Sequence, residues 1–144
     1  MPIEKSDTDV EAMLTIVAKH SPKGVIFGNL QKDRSHPSFA PDEIARCGKG
    51  NFSGKPTFTR SNELIALAYR GYKDRFVIVG CGGIFSAEDA YTKIKLGASL
   101  LELITGMIYE GPQLIAQINI GLEALLKRDG YNHISEAVGV NNFQ

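Results

Sequence analysis

The sequence lacks a net charge, a cysteine pattern and any long apolar run, and each absence excludes a class of protein. Sixteen lysine and arginine residues balance sixteen acidic ones, so no basic surplus predicts nucleic-acid binding. No apolar run reaches the roughly 18 residues that predict a membrane-spanning helix. Cys47 and Cys81 have no paired spacing and the three histidines are scattered, which argues against a zinc site or a disulfide scaffold. We expect one ordinary soluble domain without a metal.

The most informative stretch runs from Val77 to Gly111 and reads as strand, glycine turn, helix, strand and second glycine turn. The first strand is a short apolar run, typical of a buried parallel strand. Ser86 is placed to cap the helix, with Asp89 three residues later in a capping-box position. Gly97 is a typical residue just beyond a helix C-terminus.

Two neighbouring strands therefore end in glycine turns, at Gly82-Gly83 and at Thr105-Gly106. Glycine lets the backbone approach a ligand closely, and free N–H groups at a helix start favour a phosphate. In (β/α)₈ barrels such a site commonly follows strands seven and eight. The spacing alone leaves two interpretations equally open. The turns either bind the phosphate of FMN or of a sugar phosphate, or the glycines only make tight turns between strand and helix.

The rest of the chain adds helices and one more strand, giving the order α-β-α-β-α-β-α and hence a parallel α/β sheet. The long polar segment 30–56 is expected to be a functional loop. The expected elements are a helix capped by Asp7 or Thr8 and ending near His20, a strand Val25–Phe27, a helix from Ser61 to Arg70 ended by Gly71, strands Phe76–Val79 and Ser99–Thr105, and a helix from Pro112 to Gly130.

Three motifs carry a resemblance to a known family. The run VGCGGIFSAEDAYTKIKLGASLLELITGMIYEGPQLIAQIN, with ISEAVG near the end, closely resembles the C-terminal third of class 2 (quinone-dependent) dihydroorotate dehydrogenases. GNFSGKP at Gly50–Pro56 is similar to the family pattern GGLSGxP, and Asn29 to Arg34 is similar to N-T-T-L-D-R. The resemblance covers nearly the whole chain and is weakest over the first twenty residues.

The resemblance implies an FMN enzyme that oxidises dihydroorotate to orotate in pyrimidine biosynthesis and passes electrons to a membrane quinone. It implies that Gly82-Gly83 and Thr105-Gly106 hold the FMN phosphate. Ile104 stands at a position that contributes mainly through its backbone and is usually tyrosine. Ser53-Gly54 would approach the flavin, and Asn29 would contact the orotate ring. Without the family match, Asn29 reads as a turn former at a strand end.

Several departures and absences qualify this expectation. Leu30 and Gln31 replace two threonines, the first of which normally helps to bind substrate, and Asn51 and Cys81 replace a glycine and a small or apolar residue. The stretches that carry the family's general-base serine and its flavin-contacting lysine have no match here. No catalytic residue is therefore assigned, and the isolated chain is expected to be inactive. The alternatives are a non-catalytic FMN- or phosphate-binding half-barrel module, a structural half-barrel that binds nothing, and an unrelated sugar-phosphate barrel.

The expected fold is α/β, a partial (β/α)₈ TIM barrel with about three parallel strands and flanking helices, because a whole barrel takes at least about 200 residues. Residues 1–144 are read as one domain. Exposed strand edges invite pairing, so we expect self-association or a missing N-terminal half of the barrel as partner. By resemblance, orotate or dihydroorotate and a quinone are the small-molecule partners. Peripheral membrane association is likewise a family expectation.

Overall fold

The computed structural model describes residues 1–28 and 30–142. Two short 3₁₀-helices span Lys55–Thr57 and Val140–Asn142. The α-helices and strands in the described residues are α1 (Asp7–Lys19), β1 (Gly24–Phe27), α2 (Pro41–Arg46), α3 (Phe58–Tyr72), β2 (Val77–Cys81), α4 (Ala87–Leu96), β3 (Leu100–Glu102), α5 (Thr105–Glu110), α6 (Leu114–Asp129) and α7 (Ile134–Ala137).

The described strands form one parallel sheet in the order β1-β2-β3. Ile26 pairs with Val79, and Val79 pairs in turn with Leu100. Because all three strands run in one direction, their carboxyl ends meet at a single edge of the sheet. The predicted parallel α/β architecture is confirmed.

One face of the sheet is covered and the other is open. Phe27 and Ile78 are buried under α1 and α3, whose Leu14 and Leu64 belong to the same apolar core. On the opposite face, large apolar side chains stay exposed, namely Ile26, Val77 and Leu100 at 45%, 41% and 58%. In a closed barrel this second face would point into the interior. The sheet thus has the form of a barrel segment.

Local signals around α4 and α6 predicted those helices well. The Ser86 side chain accepts a hydrogen bond from the Asp89 N–H, and Gly97 follows the last turn of α4 with φ of +123°. Gly130 follows α6 in the left-handed conformation. The apolar face predicted for α6 packs inward against two apolar clusters. Leu114 and Ile118 are buried in one and Leu125 in the other, Leu122 packs against both, and Leu126 packs against the second.

The start of α3 was predicted wrongly. The helix begins at Phe58, and Ser61, expected as its cap, lies inside it and is fully buried. The Ser61 hydroxyl donates to the Cys81 carbonyl of β2 instead of capping a helix. Gly71 does not end the helix, which continues to Tyr72. A long-range contact therefore overrides the local capping signal.

Further boundaries differ from the sequence prediction. Strand β2 spans Val77–Cys81 and not Phe76–Val79, and β1 begins one residue earlier than predicted, at Gly24. The cap of α1 is Ser6, whose side chain accepts from the Asp9 N–H, and not Asp7 or Thr8. Strand β3 spans Leu100–Glu102 and not Ser99–Thr105, and Thr105 is the first residue of α5. The last long helix starts at Leu114, so Pro112 precedes it and is not its first residue.

The segment 30–56 is more ordered than a plain loop. It contains α2, and the Gln31 and Phe52 backbones exchange hydrogen bonds of 2.8 and 2.9 Å in an isolated antiparallel bridge. The bridge closes the segment on itself and brings its end, Ser53 and Gly54, back to the carboxyl edge of the sheet. Over the described residues, no helix is both long enough and apolar enough to cross a bilayer.

Candidate functional site

A cavity of about 190 Å³ lies at the carboxyl ends of the three strands. Every residue predicted from the sequence to bind the cofactor lines it: Ser53, Gly54, Gly82, Gly83, Ile104, Thr105 and Gly106. Gly28, Leu30, Thr57, Cys81, Ile84 and Leu103 complete its wall. The fold therefore brings together residues from three separate segments of the chain.

The turn after β2 needs glycine for reasons internal to the protein. Gly82 and Gly83 have φ of +93° and +74°, which side chains rarely adopt. A Cβ on Gly82 would lie 2.4 Å from Thr57 Oγ1, and a Cβ on Gly83 would lie 2.6 Å from Phe58 Cβ. These glycines are thus required for packing and backbone conformation, whatever the cavity binds.

A hydroxyl pair joins the other two segments. Thr105 Oγ1 and Ser53 Oγ are 2.8 Å apart, and a Cβ on Gly54 would lie 2.9 Å from Thr105 Cγ2. The Thr57 hydroxyl donates to the Gly54 carbonyl over 2.8 Å. Two hydroxyl groups and a close backbone therefore form one side of the cavity.

The wall of the cavity carries neither an acidic nor a basic side chain among the described residues. The wall combines hydroxyl groups and glycine backbone with the apolar side chains of Leu30, Ile84, Leu103 and Ile104. Its N–H and O–H donors suit an anion, since no carboxylate of the described wall would repel it. The volume is below the roughly 300 Å³ of a drug-sized ligand pocket. The cavity accordingly fits a phosphate group, and a larger ligand would extend out of it.

A wider groove of about 530 Å³ adjoins the cavity and shares Ser53, Gly54 and Thr105 with it. Lys55 lies in this groove, where its Nζ is 2.6 Å from Asp89 Oδ2 and 5.1 Å from the centroid of the Phe85 ring. The same Asp89 oxygen accepts the Phe85 N–H. This ion pair connects the segment before α3 to the start of α4.

Lys93 is a buried cation that sequence reasoning missed. It is fully buried, and its Nζ donates to Asn62 Oδ1 over 2.8 Å and to Ser61 Oγ over 3.1 Å. Burial lowers the pKa of Lys93 to about 8. A signal was present, because Lys93 follows Ala90 by three residues and precedes Ile94 on the inward face of α4.

The residues that depart from the family pattern occupy different environments. Leu30 lines the cavity and is 38% exposed, whereas Gln31 is buried and accepts the Asp33 N–H over 2.9 Å. Burial, and secondarily Glu102, raises the pKa of the Cys81 thiol. Ile104 precedes α5 and lines the cavity with its side chain 69% exposed.

Asn29, predicted to contact substrate, lies outside the described residues. Its role stays a prediction. The remaining predicted positions are at the cavity described above.

Comparison with known proteins identifies the family. Residues 4–126 match the family model described as dihydroorotate dehydrogenase. The chain belongs to the dihydroorotate dehydrogenase family. The chain is 42% identical over 134 residues to the dihydroorotate dehydrogenase (quinone) of Deinococcus radiodurans, and 41% identical over 143 residues to that of Rippkaea orientalis. The resemblance predicted from the sequence is confirmed.

The chain spans only a third or so of these relatives' lengths. The matches cover 91% and 94% of this chain but 34% and 38% of the two relatives, in a C-terminal part of each. What the whole enzymes do is therefore carried to this chain only as a proposal.

Solved structures show the same fold. The ligand-free structure of DHODH from Eimeria tenella superposes with a TM-score of 0.88, and its complex with ferulenol with 0.85, each at 24% identity. Each superposition covers 98% of this chain. It covers 38% of the chain in the ligand-free structure and 36% of the chain in the ferulenol complex. The three-stranded sheet is thus part of a TIM barrel, as predicted.

Proposed function

We propose that this chain forms the FMN phosphate site of a quinone-dependent dihydroorotate dehydrogenase. One observation carries the proposal: Ser53-Gly54, Gly82-Gly83 and Thr105-Gly106 converge on one cavity that has no charged side chain in its described wall and is large enough for a phosphate group. In TIM barrels, loops after the last strands commonly hold a phosphate. The flavin ring would extend out of this cavity.

The proposed roles of the chain's own residues are binding and orientation. Backbone N–H groups of Gly82-Gly83 and Thr105-Gly106, with the Thr105 hydroxyl, would donate to the phosphate, and Ser53-Gly54 would approach the flavin. Ile104 would contribute through its backbone, and Asn29 would contact the substrate ring. Bound FMN would supply the redox chemistry, the oxidation of dihydroorotate to orotate in pyrimidine biosynthesis. A quinone acceptor would place the whole enzyme at a membrane surface.

Turnover requires residues beyond this sequence. Proton abstraction needs a base within hydrogen-bond reach of the substrate, and the described cavity wall holds no carboxylate, histidine or lysine. We infer that the isolated chain does not oxidise dihydroorotate. Adding the N-terminal two thirds of a relative as a separate polypeptide is expected to restore activity, and flavin reduction by this chain alone would overturn the inference.

The open face of the sheet supports a partner for this chain. Ile26, Val77 and Leu100 together present an exposed apolar strip, of the kind that marks an interaction surface. We propose that either a second copy or the rest of a barrel covers it. A monodisperse monomer in analytical ultracentrifugation, with the strip exposed, would contradict this.

A non-catalytic binding module is the second candidate. Leu30 lines the cavity where the family carries a substrate-binding threonine, and a hydrocarbon side chain cannot form that hydrogen bond. Restored activity with the missing segment favours the enzyme, whereas FMN binding without any restored activity favours the module.

The first experiment is an absorption spectrum of the purified chain, taken before and after incubation with FMN and gel filtration. A flavin band that co-elutes with the protein is expected if the three segments suffice for binding. Thr105→Val should weaken the band, and Thr92→Val, which changes a hydroxyl on α4 that donates only to Glu88 O, is the matched control. Binding that neither variant changes would contradict the site.

A further inference from the structure

We propose that Lys93 is a positioning residue for the phosphate site, acting through Ser61 on the peptide group between Cys81 and Gly82. The inference rests on the proposed function, since it names a residue that prepares the same cavity for an anion. Lys93 itself does not line the cavity. Two hydrogen bonds, from Lys93 to Ser61 and from Ser61 to Cys81, connect it to a residue that does.

The first observation is the chain of contacts. Lys93 Nζ donates to Ser61 Oγ over 3.1 Å, and Ser61 Oγ donates to the Cys81 carbonyl over 2.5 Å. All three groups lie beneath the end of β2, and both Lys93 and Ser61 are fully buried. A continuous series of hydrogen bonds thus runs from a buried ammonium group to the turn that lines the cavity.

The direction of this series follows from the chemistry of the ammonium group. A lysine ammonium has donors only, whereas a serine hydroxyl has one donor and two acceptor sites. With Lys93 donating to it, Ser61 must direct its own proton elsewhere, and the Cys81 carbonyl accepts it. Lys93 therefore fixes the hydroxyl rotor of Ser61 toward β2.

The accepting carbonyl belongs to the same peptide group as the Gly82 N–H. In a trans peptide the C=O and N–H bonds point in opposite directions, and the described residues contain no cis peptide. Holding the Cys81 carbonyl toward Ser61 on α3 turns the Gly82 N–H away from α3. Gly82 and Cys81 both line the cavity, and the Gly82 N–H also forms a hydrogen bond with the Cys81 side chain.

The same hydrogen bonds that orient the peptide group between Cys81 and Gly82 also polarise it. Hydrogen bonds in series strengthen one another in a low-dielectric interior, and a charged donor at one end strengthens them further. The Gly82 N–H accordingly becomes a stronger donor to an anion.

A second contact supports the neighbouring glycine. Lys93 Nζ lies 4.9 Å from the centroid of the Phe58 ring, a cation–π distance. Phe58 in turn packs against Gly83 so closely that a Cβ there would be 2.6 Å from Phe58 Cβ. Lys93 thus supports both glycines of the turn, Gly82 through Ser61 and Gly83 through Phe58.

A purely structural role predicts a different outcome from a positioning role. If Lys93 only joins α3 to α4, removing it changes stability and affects every ligand alike. If it prepares the Gly82 N–H for a phosphate, its removal weakens FMN selectively against riboflavin, which is the same flavin without the phosphate. Replacing Lys93 by an apolar residue loses its hydrogen bonds to Ser61 and Asn62 but also removes the desolvation cost of a buried ammonium, so stability and phosphate preference should separate.

The experiment compares Lys93→Met and Ser61→Ala with the wild-type full chain. Lys95→Met is the control, because Lys95 lies on the same helix, 4.8 Å from the centroid of Tyr91, and faces Asp129. Dissociation constants are measured for FMN and for riboflavin. The amide ¹H and ¹⁵N shifts of Gly82 are recorded without ligand in ¹⁵N-labelled protein.

We expect Lys93→Met to lower the preference for FMN over riboflavin by roughly tenfold, the effect of one charge-assisted hydrogen bond. Ser61→Ala should act in the same direction, and Lys95→Met should leave the preference unchanged. The amide chemical shifts of Gly82 should change in Lys93→Met and in Ser61→Ala but not in the control, Lys95→Met. Should Lys93→Met fail to fold, Ser61→Ala decides.

The proposal would be overturned if Lys93→Met and Ser61→Ala left the Gly82 amide shifts unchanged and altered the dissociation constants of FMN and riboflavin equally. Failure of the proposed function looks different. If the wild-type chain binds neither flavin but Gly82 still responds to Lys93→Met, the positioning of the peptide stands and the FMN assignment falls.

Discussion

Ser53 and Thr105 are 52 residues apart in the sequence, yet their hydroxyl groups share a hydrogen bond of 2.8 Å. The bond joins the end of the segment after β1 to the start of α5, and both residues line the cavity. Thr105→Val keeps the shape and removes the hydroxyl. We expect FMN affinity to fall by roughly threefold to tenfold, as for one lost hydrogen bond, measured by flavin fluorescence quenching.

Because the two hydroxyl groups act as a pair, Ser53→Ala and the double variant complete a cycle. Contacting residues that share one ligand are expected to be non-additive. Losses that add fully would show that the two hydroxyl groups act independently and not as a pair.

Gly82 and Gly130 form a matched pair for separating backbone strain from steric overlap. Both have positive φ, +93° and +81°, but only a Cβ at Gly82 meets a neighbour, Thr57 Oγ1 at 2.4 Å. We expect Gly130→Ala to lower the free energy of unfolding by about 1 kcal/mol, the cost of a left-handed residue. Gly82→Ala should lose roughly 1–3 kcal/mol more through overpacking, measured by urea denaturation. Equal losses would show that Thr57 moves aside.

The pKa of Lys93, about 8 in the folded chain against an ordinary value of 10.5, makes stability depend on pH. Between those two values the unfolded chain binds more protons than the folded one, so the free energy of unfolding rises with pH. The full effect is about 3 kcal/mol. The titratable or charged groups that act on Lys93 are Cys81, Asp89 and Lys55.

Urea denaturation of wild type and Lys93→Met at pH 7.5 and pH 10 isolates this effect. The wild type should gain stability relative to the variant at the higher pH, while its preference for FMN over riboflavin declines as the ammonium charge is lost. A constant difference between the two proteins would show that Lys93 does not titrate in this range.

Asp89 matters more for stability than its ion pair with Lys55 suggests. Lys55 is 57% exposed, whereas Asp89 is 16% exposed and also accepts the Phe85 N–H over 2.9 Å. Lys55→Met should change the free energy of unfolding by less than about 1 kcal/mol, as for exposed ion pairs. Asp89→Ala should lose about 1–2 kcal/mol, because it removes a cap near the start of α4. Thermal denaturation measures both losses, and a larger loss of stability in Lys55→Met than in Asp89→Ala would contradict this prediction.

The sequence by itself determined the parallel α/β order, the family, the two glycine turns and helix α4, because these depend on residues close together in the chain. Ser86 meets the Asp89 N–H within one helical turn, and Gly97 ends the same helix. Such local signals can be recognised in the sequence without knowledge of any tertiary contact.

Only the tertiary structure decided the contacts between distant segments. Ser61 reads locally as a cap, but in the fold its hydroxyl meets the Cys81 carbonyl, 20 residues away. Lys93 reads locally as an ordinary helical lysine, but α3 covers it and supplies Ser61 and Asn62 as partners. The open strip of Ile26, Val77 and Leu100 likewise follows from which face α1 and α3 cover. Burial and long-range hydrogen bonds are properties of the packed sheet and helices, and these determine how the turn at Gly82 is held.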